Sequence, residues 1–571
     1  MANITPVQRF WRLLTPDKQE VKNIYIYAVF SGLVNLSLPL GIQAIIGLIQ
    51  GGRISASWVL LVVIVIGGVA ITGVLQIFQL RITEQLQRKI FVRAAFEFVY
   101  RIPRIRLEAL FQKYAPELMN RFFDTLSVQK GLSKILIDFS RATLQVIFGL
   151  MLLSFYHPFF ILFSLLLVVF IYAIFRFTAA RGLESSLTES KYKYKVAHWL
   201  EEVARTNIIF RLAAQSKLAM NRTDELTEGY LHAREDHFKV LIRQYSMLVV
   251  FKVLVATGLL AIGGVLVMEQ QMNIGQFVAA EIIILLIMGS VEKLIVSTET
   301  IYDVLTALEK IGQVTDLPLS ETSPTSEPKR LTRPVEVGLE EVTFSYPGVP
   351  KPTLEKFSLS FKPGERWVFQ DTGHSEGEAI LRLIAGLYRP QAGNVLYNGR
   401  LRSAYTPDDL YDQVAYLPVD DQLFIGTIIE NVSVGRDHVH RDEVEYLVKS
   451  LGLGEVVRSL PEGYDTIMYP GEHLLTPSAK QRLLLARCLA GKPSVVLLFH
   501  PYQNLSGKER KIVTDFIMQA EHEWTVLAVT QEDTYIKKAD KVALMSEGKV
   551  KEQGTTEELK HLLTSNTDYY A

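Results

Sequence analysis

Six long apolar segments in the first half of the chain limit its fold more than any other feature. Each is near the ~20 residues that a helix needs to cross the hydrocarbon core of a bilayer. The segments are Ile24–Leu48, Ser57–Leu80, Ala142–Tyr156, Pro158–Phe177, Tyr245–Met268 and Ile274–Val296. They predict an α-helical membrane domain with six spans, and a lipid bilayer as a partner of the protein.

Basic residues between the spans indicate which side of the membrane each loop occupies. They are concentrated between the second and third spans and between the fourth and fifth: Arg81, Arg88, Lys89, Arg93, Arg101, Arg104 and Arg106, then Arg181, Lys191, Lys193, Lys195, Arg205 and Arg211. Because cytoplasmic loops carry such an excess, both stretches and both termini are predicted to be cytoplasmic. Apolar residues also recur there at helical spacing, which predicts helices that continue beyond the membrane and pack there.

The formal net charge is zero, so bulk electrostatics predict no nucleic-acid partner.

The composition changes after the last span. Leu317–Pro334 is rich in proline, serine, threonine and charged residues, which is typical of a linker. From there on, short apolar strands alternate with helical segments, a pattern typical of an α/β domain with a mostly parallel sheet. The predicted strands are Val335–Tyr346, Phe357–Phe361, Arg366–Phe369, Val414–Leu417, Ser494–Leu498, Val526–Val529 and Val542–Met545. We therefore predict a membrane domain over residues 1–315, a linker over 316–334 and an α/β domain over 335–571.

One loop of the α/β domain has the position of a phosphate-binding loop but not its residues. It is Asp371–Ala379, reading DTGHSEGEA, between the strand Arg366–Phe369 and an apolar helix. That context calls for G-x-x-x-x-G-K-[ST]. Here Asp371 stands at the first glycine, Glu376 at the last glycine, Gly377 at the lysine and Glu378 at the hydroxyl that holds magnesium.

The two glutamates change the electrostatics of this loop. Backbone N–H groups at a helix N-terminus attract anions, and Glu376 and Glu378 would satisfy that attraction themselves. Two like charges ~4 Å apart repel by ~4 kcal/mol at an effective dielectric of ~20. We therefore predict that this loop does not bind a triphosphate tightly.

Motifs outside the loop resemble those of ABC exporter half-transporters, in which six membrane helices are fused to an ATPase domain. The resemblance is greatest to the type I secretion and peptide exporters, and it covers essentially the whole chain. It implies the fold of a P-loop-type ATPase domain, ATP and Mg²⁺ as expected cofactors, a dimer, and a plasma or inner membrane location with the ATPase-like domain in the cytoplasm. The motifs are Val342–Gly348, Leu381–Pro390, Val414–Pro418 with Leu423–Ile428, and Gln481–Arg487.

Tyr346 occupies the position of the aromatic ring that stacks on adenine in this family, and it keeps that capacity. The other polar positions that contact phosphate, metal or attacking water are replaced. Val419 replaces a glutamine, Phe499 the magnesium-organising aspartate, His500 the catalytic glutamate, Ser506 a loop aspartate and Gln531 the switch histidine, while the signature Leu-Ser-Gly-Gly-Gln reads Leu475, Thr476, Pro477, Ser478, Ala479.

Proline removes a backbone donor from the signature. The resemblance therefore implies a pseudo-ATPase that folds and dimerises, with no catalytic residue at these positions, no hydrolysis, and neither ATP nor Mg²⁺ bound tightly.

Three functional hypotheses follow. The first is a non-hydrolysing homodimer that serves as a transport scaffold, regulator or conduit. The second is the degenerate half of a heterodimer powered by an active ABC partner. Because each composite site in the family takes the phosphate loop of one chain and the signature of the other, such a heterodimer would be damaged in both sites, which favours the homodimer. The third is an exporter that retains weak ATP binding.

Two groups of polar residues have alternative interpretations. Asp371, His374, Glu376 and Glu378, with His500 nearby, have the chemistry of divalent-cation ligands. Helix-capping carboxylates on a solvated loop are the simpler interpretation, and we predict no metal. Within the spans, Lys252 and Glu281 either line a pathway or pair with each other, because charges in a membrane are costly.

The single cysteine, Cys488, lies in an apolar helical run and is predicted to be a buried thiol.

Overall fold

The structure is a computed structural model that describes residues 4–50, 56–213, 215–320, 331–371, 375–419, 421–469, 474–519 and 521–559. It contains two compact units. The first comprises Met1–Pro103 and Gln112–Leu317, and the second comprises Arg104–Phe111 and Pro318–Ala571. Of the predicted linker, residues 321–330 lie outside the described residues.

Where it is described, the first unit consists of helices and the turns that join them, and the prediction of six membrane-crossing helices is confirmed. Its helices are α1 (Pro6–Leu14), α2 (Lys18–Asn35), α3 (Ser37–Gln50), α4 (Ala56–Arg101), α5 (Ala115–Met119), α6 (Asp124–Ser133), α7 (Ser140–Ser154), α8 (Pro158–Arg205), α9 (Asn207–Leu212), α10 (Leu218–Gly258), α11 (Gly264–Met268) and α12 (Ile274–Thr315). π-helical segments at Lys134–Phe139 and Leu259–Gly263 join α6 to α7 and α10 to α11.

Four helices are much longer than a bilayer requires. Helices α4, α8, α10 and α12 have 46, 48, 41 and 42 residues, so each is about 60–70 Å long, whereas the hydrocarbon core is about 30 Å thick. The prediction that helices continue beyond the membrane is therefore confirmed.

Proline lies at two breaks between consecutive membrane helices. Helix α2 ends at Asn35 and α3 follows at once with Pro39 in its first turn. Because Pro39 has no N–H to donate to the Asn35 carbonyl, one continuous helix would lose a hydrogen bond there. The third and fourth spans are joined by a short turn: α7 ends at Ser154, Pro158 opens α8, and His157 Nδ1 accepts a hydrogen bond from Phe159 N at 3.2 Å.

A buried polar network joins α8, α10 and α12. Gln244 Nε2 donates to Thr178 Oγ1 at 2.9 Å and to Tyr302 Oη at 3.0 Å, and Ser186 Oγ lies 2.9 Å from Thr306 Oγ1. Buried polar groups of this kind are stable only when they are hydrogen-bonded, so the network fixes the register of the three helices.

The second unit contains two main sheets. Its strands are β1 (Val337–Phe344), β2 (Leu354–Phe361), β3 (Arg366–Asp371), β4 (Ala392–Tyr397), β5 (Arg400–Leu401), β6 (Val414–Leu417), β7 (Gly426–Thr427), β8 (Ile467–Met468), β9 (Val495–Phe499), β10 (Thr525–Val529), β11 (Lys541–Ser546) and β12 (Lys549–Gly554). One sheet has the order β12-β11-β3-β10-β9-β6, in which β12 is antiparallel to β11 and the other pairs are parallel. This confirms the predicted parallel core.

The first two predicted strands belong elsewhere. β1 and β2 form an antiparallel sheet of order β2-β1-β4-β5, although their sequences did not distinguish them from strands of the parallel core. The physical difference is burial, since β10 is buried at every position whereas β1 exposes part of one face. The helices of this unit are α13 (Glu376–Ile384), α14 (Pro407–Gln413), α15 (Ile428–Ser433), α16 (Arg441–Ser450), α17 (Gly454–Arg458), α18 (Pro477–Leu489), α19 (Gly507–Ile517) and α20 (Asp533–Ile536).

The segment Arg104–Phe111 packs within the second unit, although the predicted boundaries group it with the membrane helices. Arg106 N donates to Pro318 O at 3.0 Å, and Arg389 N donates to Glu108 Oε1 at 3.3 Å. The ring of Phe111 lies against Gly348, where an added Cβ would overlap it. A side chain at position 348 would therefore displace this segment.

Candidate functional site

Three of the replaced family positions meet at one edge of the parallel sheet. Val419 follows β6, His500 follows β9 and Gln531 follows β10, and all three line a cavity of about 360 Å³. They converge because the carboxyl ends of neighbouring parallel strands lie at the same edge of a sheet. Among the described residues that line this cavity, the one carboxylate is Glu532, which pairs with Arg510 at 2.7 Å.

His500 is exposed at the rim of this cavity. Its φ is +46°, its N donates to Val529 O at 3.0 Å, and its ring centroid lies 4.5 Å from that of Phe499. Among the described residues, none forms a hydrogen bond that would orient the imidazole. A general base needs such an orienting partner, so this geometry does not favour acid–base catalysis by His500.

The two glutamates of the altered phosphate loop are both held by interactions within the unit. Glu376 Oε1 accepts a hydrogen bond from Gly548 N at 2.8 Å, and Glu378 pairs with Arg382 at 2.5 Å. Both lie in the first turn of α13, where negative charge is favourable to the helix dipole. Gly377 and Ala379 are buried in the same turn.

Thr372, Gly373 and His374 lie outside the described residues, as does the side chain of Asp371. In the described part of the chain, no three His, Cys, Asp or Glu side chains are grouped as a metal-ligand set.

An aromatic–guanidinium cluster, consisting of Arg382, Tyr346, Tyr388 and Tyr416, lies beside the loop. Arg382 Cζ is 5.8 Å from the ring centroid of Tyr346 and 6.0 Å from that of Tyr388. Burial acts against the charge of Arg382, but a hydrogen bond with Tyr416 and the charge of Glu378 raise the pKa of its guanidinium overall. Sequence reasoning missed Arg382, although its position four residues after Glu378 is the spacing of a helical ion pair.

Tyr346, the predicted adenine platform, is half-buried and already has ring partners. Its centroid lies 5.0 Å from that of Phe344 and 5.5 Å from that of Tyr388, both in edge-to-face geometry. Burial raises the pKa of its hydroxyl, and this buried oxygen has no hydrogen-bond partner among the described residues. An adenine ring would therefore have to share Tyr346 with Arg382.

The altered signature forms the N-terminus of α18. Thr476 Oγ1 accepts a hydrogen bond from Ala479 N at 3.2 Å, and Pro477 occupies the first helical position. Ser478 Oγ donates to Glu509 Oε1 at 2.5 Å. Both hydroxyls of the signature are thus engaged within this unit.

Glu509 is the centre of a hydrogen-bonded group that sequence reasoning also missed. Besides Ser478, its carboxylate accepts from Arg482 Nη2 at 2.8 Å and from the N and Oγ of Ser506, each at 2.8 Å. Hydrogen bonds from Ser478 and Ser506, with the charge of Arg482, lower the pKa of Glu509 to about 2. Ser506, at the position of the family's loop aspartate, acts here as the cap of α19.

The ionisable residues within the spans do not form the ion pair that was one of the two predicted alternatives. Lys252 Nζ on α10 pairs with Glu292 Oε2 on α12 at 2.7 Å, so the predicted pairing of Lys252 with Glu281 is wrong. Glu281 is half-buried and has no hydrogen bond or ion pair with any described residue. Eleven residues separate Glu281 from Glu292, which places them about three turns apart on α12.

Cys488 is buried in α18, and burial raises the pKa of its thiol to about 12.

Comparisons with known proteins follow the same division of the chain. Residues 23–291 match a family model described as an ABC transporter transmembrane region, and residues 354–502 match one described as ABC transporter. A solved structure of a bacterial Atm1-family ABC exporter with ATP bound superposes with a TM-score of 0.85 at 16% identity, covering 97% of this chain and 98% of that one.

Curated relatives match over part of their length. The uncharacterized ABC transporter ATP-binding protein YfiB of Bacillus subtilis (strain 168) is 30% identical over 251 residues, which are 44% of this chain and 43% of that protein. The ABC-type transmembrane transporter verA of Clonostachys rogersoniana is 30% identical over 226 residues, 39% of this chain and 18% of that protein. The chain thus spans less than half the length of these relatives.

Proposed function

We propose that this chain, which is an ABC exporter half-transporter with a transmembrane region fused to an ABC transporter domain, is a pseudo-ATPase. It forms a dimer that serves as a transport scaffold, regulator or conduit and does not hydrolyse ATP. The observation that carries this proposal is the pair of glutamates in the first turn of α13, each held in place by its own partner.

The fixed glutamates argue against triphosphate binding on electrostatic grounds. A phosphate group at the N-terminus of α13 would meet Glu376 and Glu378 instead of a lysine. Neither carboxylate is free to turn away without loss, because Glu376 would give up its bond with Gly548 and Glu378 its pair with Arg382. A hydrogen bond to a charged group contributes about 1.5–3 kcal/mol, so rearrangement adds to the cost of repulsion.

The residues at the sheet edge argue against hydrolysis. Mg²⁺ binding requires oxygen ligands, and Phe499 offers none. In the nearby cavity the carboxylate of Glu532 is neutralised by Arg510, and Val419 and Gln531 carry no charge. Mg²⁺ and ATP therefore do not fit the residues at this site, and we derive no catalytic step through them.

The apolar core of the second unit is intact although the motifs beside it are altered, which supports a role that depends on folding and association. The apolar residues beside each altered motif are buried, as in β9, where Val495–Leu498 are fully enclosed. A dimer held by such domains needs no nucleotide to fold. Without a ligand that binds one conformation better than another, however, it has no driver for a transport cycle.

We expect purified full-length protein to show no Mg²⁺-dependent release of phosphate from ATP and no saturable ATP binding up to millimolar concentrations. Phosphate release and equilibrium binding of labelled ATP would be measured in detergent and in nanodiscs. The matched control is Tyr346→Ala, which removes the ring that the family uses for adenine. Turnover that is present in the natural protein and lost in Tyr346→Ala would contradict the proposal.

Mass measurement of the intact complex identifies the partner chain in the dimer. Under this proposal, the chain isolated from its native membrane is expected to associate with a second copy of itself. Recovery of a different ABC half that has an intact phosphate loop would instead favour an asymmetric transporter powered by that partner.

A further inference from the structure

The first unit contains a cavity of about 820 Å³ that is rich in positive charge, here called the basic cavity. Six lysine or arginine side chains line it, whereas two of its lining residues, Glu117 and Glu309, are acidic. This leaves an excess of four positive charges. The cationic residues are Arg9, Lys113, Arg121, Lys191, Lys195 and Lys310.

Two of these cations are buried and incompletely paired. Lys310 is 6% exposed, and it forms no hydrogen bond or ion pair with any described residue. Arg121 is 7% exposed; its Nη2 pairs with Glu117 at 2.7 Å, but its Nε and Nη1 are buried with no hydrogen-bond partner among the described residues. Buried charged groups are normally paired, because an unpaired one loses its hydration without compensation.

The neighbouring groups supply only part of the missing negative charge. Arg121 Cζ lies 3.8 Å from the ring centroid of Tyr194, and Lys310 Nζ lies 5.3 Å from the same centroid. The charge of the buried Asp124 carboxylate acts on both cations through space, but it forms no ion pair with either and accepts a hydrogen bond from the Tyr194 hydroxyl. Glu309 is paired with Arg9 at 3.3 Å. Among the described residues, no carboxylate thus forms an ion pair with Lys310, and its buried charge is only partly compensated.

The basic cavity lies on the cytoplasmic side of the bilayer. Lys310 is near the end of α12, about 54 Å along the helix axis from Ile274 at a rise of ~1.5 Å per residue. The hydrocarbon core takes up only about 30 Å of that length. Ligands dissolved in the cytoplasm therefore reach this level more readily than lipid headgroups, which stay at the membrane boundary.

We propose that the basic cavity binds an organic anion bearing phosphate or carboxylate groups, with Lys310 and Arg121 as its direct contacts. The free Nε–H and Nη1–H groups of Arg121 suit oxygen atoms of such an anion, and its charge would compensate Lys310. The exposed lysines Lys113, Lys191 and Lys195 at the rim would attract it. A volume of about 820 Å³ is that of a site for a small organic ligand.

None of the residues of this site belongs to the altered phosphate loop. Anion binding here can therefore be tested separately from the pseudo-ATPase proposal. Full-length protein would be titrated with tripolyphosphate, citrate and inorganic phosphate at constant ionic strength, with melting temperature and calorimetry as readouts. We expect a saturable rise in melting temperature with tripolyphosphate. In Lys310→Met the affinity is expected to fall roughly ten- to hundredfold, as for loss of a hydrogen bond to a charged group.

A second readout distinguishes ligand binding from a structural role of Lys310. Without ligand, Lys310→Met is expected to melt at a higher temperature than the natural protein, because it removes an unpaired buried charge. If Lys310 instead stabilises the fold, ligand-free Lys310→Met is expected to melt at a lower temperature than the natural protein. Lys239→Met is the matched control, since Lys239 is exposed and pairs with Glu235 at 3.2 Å and Asp236 at 3.1 Å; both readouts should stay unchanged. Arg121→Gln repeats the binding test if Lys310→Met does not fold.

Three outcomes would overturn the proposal. They are the absence of saturable binding for all three anions, equal affinity in the natural protein and Lys310→Met, and a lower melting temperature of ligand-free Lys310→Met. Nanodiscs of phosphatidylglycerol and of phosphatidylcholine identify the source of the anion. If stabilisation that depends on Lys310 appears only with phosphatidylglycerol, the ligand is a lipid headgroup and the soluble source is excluded.

Discussion

Replacing Glu376 with Gly, Gly377 with Lys and Glu378 with Ser is expected to create ATP binding without creating ATP hydrolysis. The change removes two carboxylates from the N-terminus of α13 and supplies the missing lysine. Relief of one repulsion of ~4 kcal/mol corresponds to about a thousandfold in affinity. Equilibrium binding of labelled ATP checks this, and a dissociation constant in the micromolar range is the expected result.

Hydrolysis should stay absent in the same variant. Phe499 and His500 still stand where the metal-organising and catalytic carboxylates would be needed, and the one carboxylate in the nearby described cavity is paired with Arg510. Phosphate release in the presence of Mg²⁺ is the measurement. Turnover by the triple variant would show that these two positions do not limit catalysis and would contradict our interpretation of the sheet edge.

A paired control separates the effect of removing the two negative charges from the effect of adding the lysine. Glu376→Gln with Glu378→Gln removes the negative charges, keeps an acceptor for Gly548 and adds no lysine, so weaker ATP binding than in the triple variant is expected. Failure of both variants to bind ATP would instead point to the aromatic–guanidinium cluster, in which Arg382 already occupies Tyr346. Melting temperatures should be compared, since the triple variant loses the Glu376–Gly548 bond and the Glu378–Arg382 pair.

Glu509→Ala is expected to destabilise the second unit by about 3–5 kcal/mol, because the buried guanidinium of Arg482 loses its ion-pair partner and keeps only uncharged acceptors such as the Leu451 and Gly452 carbonyls. The same change removes the carboxylate that completes the capping box of Ser506 at the start of α19, and the acceptor for Ser478. For a unit of this size the loss corresponds to a fall in melting temperature of roughly 6–20 °C. Intrinsic fluorescence of the buried Trp367 and Trp524 would follow the transition.

The control is Glu455→Ala, at an exposed carboxylate on α17, for which a change below about 0.5 kcal/mol is expected. A loss no larger than this control in Glu509→Ala would contradict the assigned role of the carboxylate.

The effect of Glu509 should depend on pH in a known direction. Its pKa is about 2 in the folded chain against an ordinary value of 4.5, so the folded state holds the charged form. Stability from this group is present in full above pH 4.5 and is lost as the pH falls toward 2. The shift corresponds to roughly 3 kcal/mol at most, and the 23% exposure of the side chain reduces it by solvent screening. The difference between the natural protein and Glu509→Ala should therefore shrink over that interval.

Features that follow from local periodicity could be predicted from the sequence. The six spans, their extension beyond the bilayer and the parallel strands depend on apolar runs and their lengths, which are visible without any contact. The meeting of Val419, His500 and Gln531 follows from topology, since each comes directly after a parallel strand.

Features that depend on contacts between residues far apart in the sequence could not be predicted. Glu376 accepts its hydrogen bond from Gly548, which is far away in sequence and lies in the turn between β11 and β12. The choice of Glu292 over Glu281 as the partner of Lys252 depends on how α10 is placed along α12, and both carboxylates lie on an apolar helix. The first three residues of β4 are exposed, so its apolar signal is too weak to predict the antiparallel sheet.

The buried thiol of Cys488 has a practical consequence for measuring how two copies are arranged. With a pKa of about 12 and only 7% exposure to solvent, it stays protonated and unreactive toward maleimides at neutral pH. Because the chain has one cysteine, a single new one placed on the surface would be the sole site of labelling, without a cysteine-free background. Spin labels introduced in this way would report inter-subunit distances by pulsed electron paramagnetic resonance in the otherwise natural chain.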